Sequence, residues 1–153
     1  ISNHEFHSSQ VSLLFLFIDT QSMSIQATYD SCITANSSKY TRDCVQPNYH
    51  YEAIEITVVE NGTYTFSSYS EINTYGYLYE NNFNPFNPSE NRINENDDSG
   101  CNGQFKLIQY MQKQKIYILV ITTVRENDIG SFTITAFGSN DVTMKHSGEY
   151  NRT

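Results

Sequence analysis

Between Gly62 and Gly138 the chain reads GTYTFSSYS (62–70), INTYGYLYE (72–80), NENDDSG (94–100), QKIYILVITT (114–123) and GSFTITAFG (130–138). Aromatic and β-branched residues recur there at period two, in short runs bounded by Asn, Gly, Asp or Ser. Side chains alternate between the two faces of a strand, so this pattern predicts half-buried β-strands joined by turns. Several such strands at close spacing, with no stretch of helical period, predict an all-β sandwich.

Working outward, the final strands are QFKLIQYM (104–111), KIYILVITTV (115–124) and GSFTITAFG. Ile116, Ile118 and Val120 oppose Tyr117, Leu119 and Ile121. Both faces of this strand are apolar, so it is predicted to be central and covered on both sides. Upstream, YHYEAIEITVVE (49–60) puts Ile54, Ile56 and Val58 on one face, and SIQATY (24–29) is a shorter strand. A polar turn around Asn36 and a short strand near Tyr40 come between them. Asn61-Gly62 between alternating runs predicts a type I′ hairpin, whose two central residues need positive φ. Residues 81–103, with Pro85 and Pro88, read as a long loop. Residues 141–153 read as a linker or tail.

The apolar run VSLLFLFI (11–18) stands apart. Val11, Leu13, Phe15 and Phe17 share one face of a strand, and Leu14, Leu16 and Ile18 the other. Eight residues are too few to span a bilayer, and the flanks do not fit a signal peptide. Three readings stay open: a buried central strand, a buried turn of helix, or a strand inserted into a neighbouring subunit. The organisation expected is an N-terminal extension over 1–22 carrying this candidate donor strand, a sandwich module over 23–140, and the tail over 141–153.

Of 153 residues 17% are charged, with 12 Tyr, 9 Phe, no Trp and a formal net charge of −8. About one domain is expected at this length. The acidic balance, with few dispersed cations, speaks against nucleic acid and anionic membranes. It fits Ca²⁺, neutral glycans or simple solubility. Asn36-Ser37-Ser38, Asn61-Gly62-Thr63 and Asn151-Arg152-Thr153 are acceptors for N-linked glycans, whereas Asn87-Pro88-Ser89 is excluded by its proline. With Cys32, Cys44 and Cys101 and the neutral-polar exterior, they favour a secreted setting that permits disulfides. Any of three cysteine pairings is open to the sequence.

The candidate chemistry is sparse. Asn94, Asn96, Asp97 and Asp98 form the densest oxygen cluster, suited to Ca²⁺ and equally to turn formation. The Tyr75, Tyr77 and Tyr79 row offers either a sugar-stacking platform or ordinary cross-strand packing. His4-Glu5-Phe6-His7 has weak metal-ligand spacing, and His50 and His146 stand alone. No nucleophile elbow, zinc-protease helix or phosphate loop is present, so an enzyme is not expected.

The order GTYTF (62–66), NTYGYLYE (73–80), NDDSG (96–100), KQKIYILVITT (113–123) and GSFTITAFG (130–138) resembles the bacterial pre-peptidase C-terminal domain family, and the chain adds YTRDC (40–44), YHYEAI (49–54), NTYGYLY (73–79), NPFNP (84–88), NDDSGC (96–101) and YILVITT (117–123). They are closer still to diverged repeats in large secreted proteins of microscopic aquatic invertebrates. The resemblance covers roughly residues 24–143. It implies a jelly-roll-like antiparallel β-sandwich with an extracellular, non-catalytic role, and here an extra N-terminal strand. It implies Ca²⁺ at the acidic loop in some members. It also implies a Cys44–Cys101 disulfide, which leaves Cys32 over; Cys32–Cys44 is the second choice. The expected function is a secreted structural protein that polymerises with copies of itself into a fibre or matrix by donating residues 11–18. The alternative is a glycan- or protein-binding module, with or without Ca²⁺, of a larger secreted adhesive chain.

Overall fold

The structure, a computed structural model, describes residues 25–42 and 49–148. Ten strands and no helix make up these residues: β1 (Ile25–Ile33), β2 (Lys39–Tyr40), β3 (Tyr49–Val58), β4 (Gly62–Ser70), β5 (Thr74–Glu80), β6 (Arg92–Asn96), β7 (Lys106–Met111), β8 (Tyr117–Thr123), β9 (Gly130–Gly138) and β10 (Val142–His146). They form a four-stranded sheet in the order β1-β9-β4-β7 and a six-stranded sheet in the order β10-β3-β8-β5-β6, with β2 added to β3. The pairings are antiparallel. The all-β sandwich expected from the alternating runs is therefore the fold.

The period-two residues meet between the sheets. Tyr64 and Phe66 of β4, Phe132, Ile134 and Ala136 of β9, and Leu107 and Met111 of β7 face Ile54, Ile56 and Val58 of β3 and Leu119 and Ile121 of β8. β8 is buried at every position from Tyr117 to Thr123. Its second face lies under a separate cluster of Tyr40, Ala53, Tyr77, Tyr79, Phe83, Ile118 and Val120. The segment between β5 and β6 makes this cover. Phe83 packs on Tyr40, Tyr51 and Tyr79 with ring centroids 5.5, 5.2 and 4.8 Å apart, and the Tyr79 hydroxyl donates to the Pro88 carbonyl at 2.7 Å. Asn81 and Asn91 turn this segment through left-handed φ values of 72° and 60°, which Asn tolerates better than most residues.

Three expectations are corrected. Asn61-Gly62 closes no hairpin: β3 and β4 lie in different sheets, and neither residue has positive φ. The turn carries the chain across the sandwich, and Asn61 Oδ1 accepts from Lys113 N–H at 2.9 Å. The stretch read as a loop over 81–103 contains β6, whose alternation is masked by Asn and charge. Residues 142–146 of the presumed tail are β10, paired to β3 from Val142↔Val58 to His146↔Ile54. The candidate donor strand, with Val11, Leu13, Phe15 and Phe17, lies outside the described residues, as do His4, His7, Cys44 and Asn151.

Candidate functional site

The two lateral sides of the sandwich are finished differently. On one side β7 ends the four-stranded sheet beside β6, which ends the six-stranded one. Two asparagines of β6 cap the outward backbone groups of β7. Asn94 Nδ2 donates to the Ile108 carbonyl at 3.1 Å and to Gln109 Oε1 at 3.2 Å. Asn96 Oδ1 accepts from Lys106 N–H at 2.9 Å and Ser99 N–H at 3.0 Å. An unpaired sheet edge is a template for another strand; here side-chain amides occupy it.

On the opposite side the edges are β1 and β10. β1 pairs with β9 without interruption from Ile25↔Gly138 to Ile33↔Gly130. Among the described residues no strand pairs with its other edge. Its sequence, IQATYDSCI, has one charge and no Lys or Pro, so it lacks the usual devices that blunt an edge. Ala27 and Tyr29 of β1 and Val142 and Met144 of β10 fringe the core here, only partly buried. The apolar interior thus reaches the surface along this side.

A polar clasp closes one end of it. Glu52, on β3, has a side chain 10% exposed. Tyr29 Oη donates to its Oε1, Ser31 Oγ to its Oε2 at 2.5 Å, and His146 Nδ1 stands 3.5 Å from Oε1. Residues of both sheets converge on one carboxylate, as a poorly hydrated acceptor requires. Burial raises the Tyr29 hydroxyl well above its ordinary pKa, and the hydrogen bond to Glu52 and its charge raise it further. A depression of about 180 Å³ beside the clasp is lined by Ser37, Ser38, Glu52 and His146 and by Asn36 of the first sequon.

The other candidate residues are dispersed. Tyr77 and Tyr79 are 3% and 1% exposed, so the tyrosine row is internal packing and not an open platform. Tyr75 stacks on Tyr77 at 4.3 Å, and the Arg42 guanidinium lies over Tyr49 and Tyr75, 3.8 and 5.1 Å from their centroids. In the Ca²⁺ cluster, both Oδ1 lone pairs of Asn96 are taken by N–H groups, Asp97 is half-buried and Asp98 exposed. Among the described residues no three His, Cys, Asp or Glu side chains gather as a metal set. Asn36 and Asn61 are exposed. Cys32 and Cys101 are exposed free thiols, so the expected Cys44–Cys101 bridge is not formed here. His50 is buried, its Nδ1 2.8 Å from the Ser37 carbonyl oxygen. No helix of the described residues is long and apolar enough to cross a membrane.

Sequence reading missed the outer face of the four-stranded sheet. Tyr69 there is 78% exposed and stands between depressions of about 690 and 550 Å³. Ser67, Ser70, Ser131, Thr133 and Thr135 supply hydroxyls, and Phe137 a second ring. The signal was present: Phe137 and Tyr69 fall on the parity opposite the core residues of their strands. No known protein family matches the chain, and no curated protein is significantly similar to it in sequence.

Proposed function

We propose that this is a secreted, non-catalytic structural protein that polymerises by strand donation, residues 11–18 of one copy entering the open side of the next. The observation that carries this reading is the asymmetry of the two sides. The β7 edge is capped by Asn94 and Asn96, while the β1 edge is long, regular and fringed by core side chains. VSLLFLFI has two apolar faces and needs cover on both. An added strand gives affinity through main-chain hydrogen bonds and selectivity through alternate side chains. One donor and one acceptor per copy make a head-to-tail contact, which yields a filament where the rotation does not close. N-linked glycans at Asn36, Asn61 and Asn151 would coat the outside. The resemblance of residues 24–143 to secreted repeat modules is in keeping with this setting.

The test is negative-stain electron microscopy of the full chain beside a Leu14→Lys/Phe15→Lys variant, which charges both faces of the donor. Filaments in the parent alone support donation. Dispersed particles in both exclude it.

A second reading is favoured by Tyr69. A bare ring between hydroxyl-lined depressions suits stacking on a neutral glycan, which would make the domain a binding module of a larger adhesive chain. A glycan array run with and without Ca²⁺ tests it, the Ca²⁺ arm addressing Asp97 and Asp98. Retained signal in Tyr69→Ala would remove this face as the site.

A further inference from the structure

We infer that the sandwich is a tension-bearing module: a pull between the chain entering β1 and the chain leaving β10 draws both strands lengthwise, and the Glu52 carboxylate ties the two together. The path of the load lies wholly within the described residues. It needs no contact from residues 11–18 and goes beyond the assembly proposed above.

The two strands run the same way. β1 starts at Ile25, opposite Gly138, the last residue of β9. Only Ser139–Asp141 separate Gly138 from Val142, the first residue of β10, so both strands start at one end of the sandwich. Both then run to the clasp. Ser31 of β1 donates to Glu52 Oε2 at 2.5 Å, and His146, the last residue of β10, stands 3.5 Å from Oε1. From Ile25 to Ser31 is about 20 Å of strand. Tension therefore pulls β1 toward the Gly138 end and β10 toward the clasp, sliding them past each other.

Pairing sets the resistance to that slide. Antiparallel N–H···O bonds lie perpendicular to the strands. A lengthwise pull loads the bonds of a pair of strands together, whereas a crosswise pull opens them one after another. β1 pairs with β9 along its whole length, from Ile25↔Gly138 to Ile33↔Gly130, and sliding it drags the fully buried Ile33 through the core. β10 pairs with β3 from Val142↔Val58 to His146↔Ile54. Backbone bonds extend that seam at both ends: Val59 N–H donates to the Asp141 carbonyl at 3.4 Å, and Ser147 N–H to the Ala53 carbonyl at 2.8 Å. Lys145 and Glu55 pair across it at 3.0 Å. With five residue pairs against nine, β10 is the weaker seam.

The clasp reinforces this weaker seam. Glu52 belongs to β3, the strand that holds β10, and its carboxylate accepts from Tyr29 Oη and Ser31 Oγ of β1. The side chain is 10% exposed, where charge-assisted hydrogen bonds are little screened. Load arriving at His146 and Ser147 thus meets, beside its point of entry, a tie to the four-stranded sheet.

Single-molecule force spectroscopy tests this. In the full chain carrying Cys32→Ser, Cys44→Ser and Cys101→Ser, a cysteine at Gln26 is combined with one at Gly148 or one at Ser139 as the points of attachment. All three positions are exposed, and a Cβ at Gly148 meets no atom within 4 Å. The 26/148 pair pulls lengthwise. The 26/139 pair lies at the Gly138 end and peels β1 crosswise from β9. One molecule is held at a time, so the result is independent of whether copies assemble. Rupture at several-fold higher force for 26/148 than for 26/139 is expected. Equal forces, or a weaker lengthwise response, overturn the proposal. Glu52→Gln keeps the shape of the side chain and removes its charge. It should lower the lengthwise force and leave the crosswise force unchanged, because peeling starts at the end away from the clasp. Ser31→Ala, a smaller change, should act in the same direction. Equal losses in both pulling directions would make Glu52 a general stabiliser and overturn the tie, as would no loss in either variant.

Discussion

Two glycines make room for buried rings, Gly138 for a neighbour in its own sheet and Gly76 for one from the facing sheet. A Cβ at Gly138 would stand 2.1 Å from Tyr64 Cδ1, and one at Gly76 2.8 Å from Phe105 Cδ2. Neither position allows a methyl group without moving a fully buried ring. Gly138→Ala and Gly76→Ala should each cost about 1–3 kcal/mol through overpacking, read as a lower urea midpoint at unchanged slope. An unchanged midpoint would mean that the rings are free to yield. The buried tyrosines give a second residue-scale prediction. Burial raises the hydroxyls of Tyr77, Tyr79 and Tyr29, with further increments from Tyr40, Glu95 and Glu52 respectively; Arg42 and Arg92 oppose the shifts at Tyr77 and Tyr79. Above about pH 10 the unfolded chain ionises these groups while the folded one keeps their protons. The native state then binds more protons, so their contribution is complete below pH 10 and is lost as pH rises beyond it. Phenolate absorbance should show the buried set ionising only together with unfolding. Titration of all 12 tyrosines near pH 10 without loss of structure would contradict this.

At the scale of elements, the Asn94–Asn96 clamp is the sharpest prediction. Asn96→Ala removes the acceptor of Lys106 N–H and Ser99 N–H. It should cost about 1 kcal/mol, and hydrogen exchange should show faster opening at Lys106 while β9 is unaffected. Loss of protection spread evenly over the sheet would argue against a local cap. The same elements show what the residues disclosed beforehand. Central, doubly covered β8 was legible because both parities of KIYILVITT are apolar. The inward faces of β3, β4 and β9 were legible from period two. The Asn61-Gly62 hairpin was not, because the local turn preference carries no information on whether two strands share a sheet. β6 and β10 were hidden for a related reason. They are edge strands whose pairing satisfies the backbone without a continuous apolar row, and β10 buries only Val142 and Met144, partly. The cover over Tyr77 and Tyr79 comes from Tyr40, distant in sequence, and from Phe83, which folds back just after β5, so an open tyrosine platform and a packed one read alike along the chain.

At the scale of the whole molecule, the fold is a sandwich in which, among the described residues, the β7 edge is capped by side chains and the outer edge of β1 pairs with no strand. The candidate site was only half legible. The two-faced apolar run VSLLFLFI lies outside the described residues, and the β1 edge proposed to receive it was not legible in the chain. It depends on which strands end each sheet and on the Glu52 clasp, whose members Tyr29, Ser31, Glu52 and His146 come from three strands. Asn94 and Asn96, grouped in the sequence with Asp97 and Asp98 as candidate Ca²⁺ ligands, hydrogen-bond to the β7 edge. In the proposed assembly, residues 11–18 of one copy complete the β1 side of another. Negative-stain electron microscopy of the full chain at increasing concentration tests this most directly. Filaments that lengthen with concentration and vanish in Leu14→Lys/Phe15→Lys are the expected result. Single particles at every concentration, in a parent chain whose β1 amides are already protected, would contradict it.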